Sequence, residues 1–204
     1  MKQFLTAIVA ILALGAFGPA HAQQSPDVLV KSVVDEVLVI VKENKDPQML
    51  RTLAEQKVLP HFDFRQMTQM AAGRTWREAS ATQQQALENG FRSLLVNTYT
   101  AALAHTSGAG KTVEVKPVPA AAVASGEALV KTLVKESGKP PVAIDYRMLK
   151  EAAGWKVIDV TIENISLVTN YRTTFASEVA KSGIDGLIKT LEEKSRAPSR
   201  GGMG

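Results

Sequence analysis

Residues Trp155 to Phe175, WKVIDVTIENISLVTNYRTTF, change their period in mid-run, and that change limits the folds open to the chain. Trp155 to Ile162 is rich in β-branched residues and follows Gly154, which predicts a strand. Beyond Asn164, the residues Leu167, Tyr171, Phe175 and Val179 recur every four positions and draw one apolar stripe down a helix. A strand and a helix joined by so few residues must fold back on each other and share an apolar space.

The rest of the chain reads as helices, then strands, then helices. Ser25-Pro26 sets an N-cap residue before a proline at the first helical position, and Val30, Val33, Val34, Val37, Leu38 and Val41 form the inner face of the helix it opens. Asp46-Pro47 repeats the signal for a shorter helix lined by Met49, Leu50 and Leu53. Asp63 caps a third, which carries Phe64, Met67 and Ala71 and ends at Gly73. Ser80-Ala81-Thr82-Gln83 is a capping box. It opens a long fourth helix that turns Leu87, Phe91, Leu94, Leu95, Tyr99 and Leu103 inward and stops before Gly108.

From Lys111 the period becomes two. Val113 and Val115 alternate with Glu114 and Lys116 until Pro117 and Pro119 break the strand. A second strand alternates Ala128, Val130, Thr132 and Val134 with Leu129, Lys131, Leu133 and Lys135. A third alternates Val142, Ile144, Tyr146 and Met148 with Ala143, Asp145, Arg147 and Leu149. The connections at Ser137–Pro140 and Glu151–Gly154 are short enough for hairpins. The expected fold is therefore α+β: one domain, with a curved antiparallel sheet of about four strands and helices before and after it. A break near Gly183 ends the long helix, and Asp185 to Lys194 reads as a last short one.

Residues 1–22 read as a secretory signal peptide: Lys2 is the positive start, Leu5 to Phe17 the apolar run and Ala20-His21-Ala22 the cleavage site. The run is too short to cross a hydrocarbon core of about 30 Å, so a soluble periplasmic domain over residues 23–195 is expected, with 196–204 a disordered basic tail. The sequence holds no cysteine, which leaves stability to packing rather than disulfides. The formal charge of +4 is small, and the 24 lysines and arginines are scattered, which argues against nucleic acid.

Catalytic signals are few. Beyond the leader the histidines are His61 and His105, without metal-ligand spacing, and no zinc, P-loop, dinucleotide or nucleophile-elbow motif occurs. His61 reads as a surface or packing residue, and Trp76 and Trp155 as core. Arg74 and Arg77 flank Trp76 three apart, which suits either a phosphate contact or a solvated loop. An acid-and-tyrosine site from Asp145 and Tyr146 is an enzyme alternative, but alternation sends neighbouring side chains to opposite faces. Asp145 and Asp159 are expected to face water.

Five segments in order carry a family resemblance: Pro60-His61-Phe62-Asp63-Phe64; Gly73-Arg74-Thr75-Trp76-Arg77 with Ser80 and Gln83; Phe91 to Tyr99; Asp145-Tyr146-Arg147; and Trp155 to Phe175. Together they resemble the periplasmic phospholipid-binding proteins of the Mla pathway, also called the toluene-tolerance family of ABC-transport auxiliary proteins. Hopanoid-associated relatives share much of the pattern. The resemblance implies a cone of the cystatin or nuclear-transport-factor-2 type, with helices across the concave side of the sheet and an apolar lipid cavity inside. Its function would be to shuttle phospholipids between an outer-membrane lipoprotein–porin complex and an inner-membrane ABC transporter, preserving outer-membrane lipid asymmetry. It implies no catalysis and no cofactor, with phospholipid as cargo.

A carrier of this kind has one physical requirement. Hydrocarbon leaving a bilayer costs about 0.8 kcal/mol per CH₂, so ~30 methylenes amount to roughly 24 kcal/mol. The protein must replace the bilayer around the chains. Candidate lining residues are Phe91, Leu95, Tyr99, Val130, Ile144, Tyr146, Met148, Val157, Leu167, Tyr171 and Phe175, with the Tyr99 hydroxyl in water at the rim. Each would serve equally in a filled core, so the hollow itself comes from the resemblance.

Overall fold

The short connections leave the strands no choice but to pair as neighbours, and they do. In the computed structural model, which describes residues 24–43, 46–104 and 110–196, five strands form one antiparallel sheet in sequence order. They are β1 (Lys111–Val115), β2 (Glu127–Glu136), β3 (Val142–Glu151), β4 (Gly154–Ile162) and β5 (Ile165–Ser166). Across the sheet Tyr146 stands opposite Val130 and Val160, and Ile144 opposite Thr132 and Ile162. The register slips at a bulge between Arg147 and Met148. Residues 1–22, read from the sequence as a leader, the side chain of Leu103, His105, Gly108 and residues 197–204 lie outside the described residues.

The helix starts follow the sequence signals. Helix α1 spans Pro26–Glu43, and α2 spans Pro47–Leu53, where the Asp46 carboxylate accepts from Gln48 N at 3.0 Å. Asp63 accepts from Gln66 N at 2.8 Å and opens α3, Phe64–Ala72. After the short α4 (Arg74–Glu78), the capping box opens α5 (Ala81–Ala104): Gln83 N donates to Ser80 Oγ at 3.2 Å, and Ser80 N to Gln83 Oε1 at 3.0 Å.

Four departures from the expected layout have local causes. The sheet has five strands rather than four because Glu163 and Asn164 both take positive φ, 48° and 68°, which closes a two-residue hairpin and lets Ile165 pair with Ile162. Asn accepts that conformation readily; Glu gives no sequence warning of it. Pro119 ends one extended segment and starts α6, Ala120–Ser125, which stops at Gly126 in the left-handed region. Past α2 the chain winds through a π-turn, Ala54–Val58, and a 3₁₀ turn, Leu59–His61. Helix α7 runs Leu167–Arg196 with Gly183 (φ 72°) breaking it, so the long and short helices meet as one kinked element.

Two cores result. One is helical, with Met67, Leu87, Phe91, Phe175, Leu187 and Leu191 buried among α3, α4, α5 and α7. The other lies on one face of the sheet and gathers Val30, Ala128, Val130, Met148, Trp155, Val157, Val160 and Leu167. In the helical core α5 meets the second half of α7 at Gly90, where an added Cβ would stand 2.9 Å from Leu191 Cβ. Gly90→Val is therefore expected to cost about 1–3 kcal/mol by overpacking, read as a lower midpoint in urea.

Asp159 corrects the expectation that both acids face water. It is 8 % exposed, accepting from Ser166 Oγ at 2.7 Å and from Val168 N at 3.2 Å, so it ties β4 to the first turn of α7. Asp159→Ala leaves the buried Val168 N–H without its acceptor, while the Ser166 hydroxyl keeps Thr169 Oγ1 within reach at 3.0 Å. We expect a loss of about 1–3 kcal/mol, measurable by denaturant unfolding.

Candidate functional site

Between α1 and the sheet the structure is hollow. The cavity has a volume of about 450 Å³, within the ~300–1,000 Å³ usual for ligand sites, and its walls are almost wholly aliphatic and aromatic. Helix α1 supplies one wall: Leu29, Val30, Val33, Val34, Val37, Leu38 and Val41. Facing it are Val113 of β1, Val134 of β2, Ile144, Tyr146 and Met148 of β3, and Val157, Val160 and Ile162 of β4. Leu95, Val96 and Tyr99 of α5, Leu167 at the start of α7, and the turn residues Ala54, Val58, Leu59, His61 and Phe62 complete the lining, with Phe64, Met67 and Lys111.

Seven of the eleven candidates meet here: Leu95, Tyr99, Ile144, Tyr146, Met148, Val157 and Leu167. The other four lie elsewhere. Phe91 packs edge-to-face with Tyr171 (centroids 5.0 Å apart) and Phe175 (5.1 Å), so these three rings fill the contact between α5 and α7. The stripe on α7 thus turns from the sheet side at Leu167 to the helical core at Tyr171 and Phe175. Val130 is fully buried in the sheet-side core, and Val142, also expected to face inward, is exposed at 39 %.

The α1 wall is what sequence reasoning missed as a site. Its valine stripe was legible as an inner face, yet a face on a filled core and a face on a hollow have the same period. Burial separates them: Val30 and Val41 at the two ends are 6 % exposed, whereas Val33, Val34, Val37 and Leu38 between them stay half-buried because they face the hollow.

Polar groups in the lining are few. Burial, assisted by Tyr171, pushes the pKa of half-buried Tyr99 up to about 12. Tyr146 keeps some surface, but that surface is turned to the hollow, and burial alone pushes its phenol up to about 12. Burial raises Tyr171 as well. The chain has three tyrosines, so none titrates as a free phenol would. Because the folded pKa values lie above the unfolded value near 10, the unfolded chain loses these protons first. Stability is intact below pH 10 and falls as pH rises towards 12. An absorbance titration should show tyrosinate appearing only together with loss of structure.

His61, read as a surface or packing residue, also lines the cavity. Burial and then Lys156 hold its imidazole below the ordinary pKa, against an opposing pull from Glu36. Asp145 does not line the hollow, as alternation required, so no acid accompanies Tyr146 there. Arg74 is exposed and spends its charge on Glu78 at 2.6 Å within α4. Among the described residues no three His, Cys, Asp or Glu side chains gather as a metal site, and no helix is long and apolar enough to cross a membrane.

Known proteins are similar to this chain. A sequence profile of the family described as MlaC protein matches residues 31–193. The intermembrane phospholipid transport system binding protein MlaC of Haemophilus influenzae is 21 % identical over 206 residues, covering 97 % of this chain and 95 % of that protein. The phospholipid-binding protein from Ralstonia solanacearum, solved in complex with a phospholipid, superposes with a TM-score of 0.77 at 38 % identity, covering 84 % of this chain and 97 % of that one.

Proposed function

Because this chain belongs to the MlaC family, we propose that it is a periplasmic phospholipid carrier, exported by its leader and shuttling lipid between an outer-membrane lipoprotein–porin complex and an inner-membrane ABC transporter. Its role is transfer without bond making, and its physiological result is the lipid asymmetry of the outer membrane. One observation carries the reading: a cavity of about 450 Å³ with an almost unbroken hydrocarbon lining, in a chain similar to a protein solved with a phospholipid. Such a lining repays the cost of drawing acyl chains from a bilayer, about 0.8 kcal/mol per CH₂. The candidates Leu95, Tyr99, Ile144, Tyr146, Met148, Val157 and Leu167 are assigned to acyl-chain contact, joined by the α1 stripe.

Native mass spectrometry of the purified protein tests this directly. The expected result is one mass shift that lipid extraction resolves as glycerophospholipid. A bound hopanoid would change the cargo and keep the carrier. A protein that carries no lipid and takes none from vesicles would end the reading.

A further inference from the structure

Strand β1 alternates cleanly: Lys111, Val113 and Val115 fall on its half-buried face, Thr112 and Glu114 on its exposed one. Lys111 therefore opens the inward series, and with Val113 it lines the cavity. It is the one lysine, arginine, aspartate or glutamate among the lining residues. Its side chain keeps only 15 % of its surface. With so little of the side chain left to solvent, its ammonium gains from an anion close by. The neighbouring carboxylate supplies one only in part: Lys111 Nζ lies 3.5 Å from Glu136 Oε2, whereas Lys139 holds the other oxygen at 2.9 Å. A charge on an edge strand also blocks further pairing. It does so from either face, which leaves unexplained why this one turns to the hollow.

We propose that Lys111 reads the phosphate of the cargo: its ammonium takes the phosphodiester at the β1 end of the cavity, and the acyl chains run from there along β3 past Ile144 and Tyr146. The proposal rests on the carrier reading and adds to it a direction for the bound lipid and a rule of selection. Deeper in the cavity the lining offers no second ammonium, and the cross-strand neighbours of Tyr146 are Val130 and Val160. A phosphate placed there would be an unpaired charge in hydrocarbon, whereas at Lys111 it completes a half-paired cation. Lipids with the same chains but no phosphate would fill the cavity and leave Lys111 as it is.

The test is competitive loading of delipidated protein from vesicles holding equal amounts of phosphatidylglycerol and diacylglycerol with identical chains, with bound lipid quantified by mass spectrometry. The wild type should favour phosphatidylglycerol by about tenfold, the effect of one charge-assisted hydrogen bond. Lys111→Gln should bring the ratio close to one, and Lys111→Arg should keep most of it. Lys135→Gln, which removes the same charge from an exposed pair with Glu114, should keep it fully. A wild type that loads both lipids equally overturns the proposal while the carrier reading stands, and it does so even where Lys111→Gln fails to fold. Retention of the full preference in Lys111→Gln overturns it too. Uptake of neither lipid by the wild type overturns the carrier reading and this inference with it.

Discussion

Ile144→Glu is expected to abolish lipid loading while leaving a folded protein. Ile144 is half-buried because it faces the hollow, and its cross-strand neighbours are Thr132 and Ile162. Without lipid, water can enter a space of about 450 Å³ and hydrate the carboxylate, so the fold loses little. With acyl chains beside it, the carboxylate must be desolvated or protonated, at about 4 kcal/mol or more, roughly a thousandfold in affinity. Ile144→Leu, which keeps volume and polarity, should load normally. Asp145→Asn, one residue along and outside the lining, should also load normally; an enzyme built on Asp145 and Tyr146 would show the opposite order. The measurement is phospholipid per protein after incubation with vesicles, beside a circular dichroism spectrum. Full loading by Ile144→Glu would show that the hollow is not where the chains lie.

Much of this architecture is legible in the sequence because it is local. Proline after a capping residue, the Ser80–Gln83 box and the switch to period two at Lys111 each depend on neighbours a few residues away, and each element begins where they place it. The site is legible only in part because a hollow depends on what does not touch. The third strand showed its inward face plainly, and Ile144, Tyr146 and Met148 do line the cavity. The α7 stripe misled for a different reason. A helix that leaves a sheet edge at Leu167 rises about 12 Å by Phe175, enough to pass from one core to the other. One continuous stripe therefore serves two partners, with Leu167 on the hollow and Tyr171 and Phe175 on α5. Asp159 was hidden likewise, since its work is done for residues on the far side of a hairpin.

That division gives Phe175 a fate opposite to that of Ile144, although the sequence offers both as lining candidates. Phe175 is 2 % exposed, set edge-on to Phe91 and tilted against Tyr171 at 5.8 Å. Phe175→Ala removes a ring from a close-packed core rather than from the wall of a hollow. Transfer and cavity costs together are about 3–5 kcal/mol, including the ring pairing. For a chain of this length that corresponds to a fall in Tm on the order of 10 °C. The cavity lining is untouched, so the fraction that remains folded should still load phospholipid at the wild-type ratio. Saturating lipid should recover part of the lost Tm, since a ligand that binds only the folded state stabilises it by mass action. Calorimetry with and without phospholipid separates the cases. An unchanged Tm with lost loading would instead place Phe175 against the acyl chains and extend the hollow between α5 and α7.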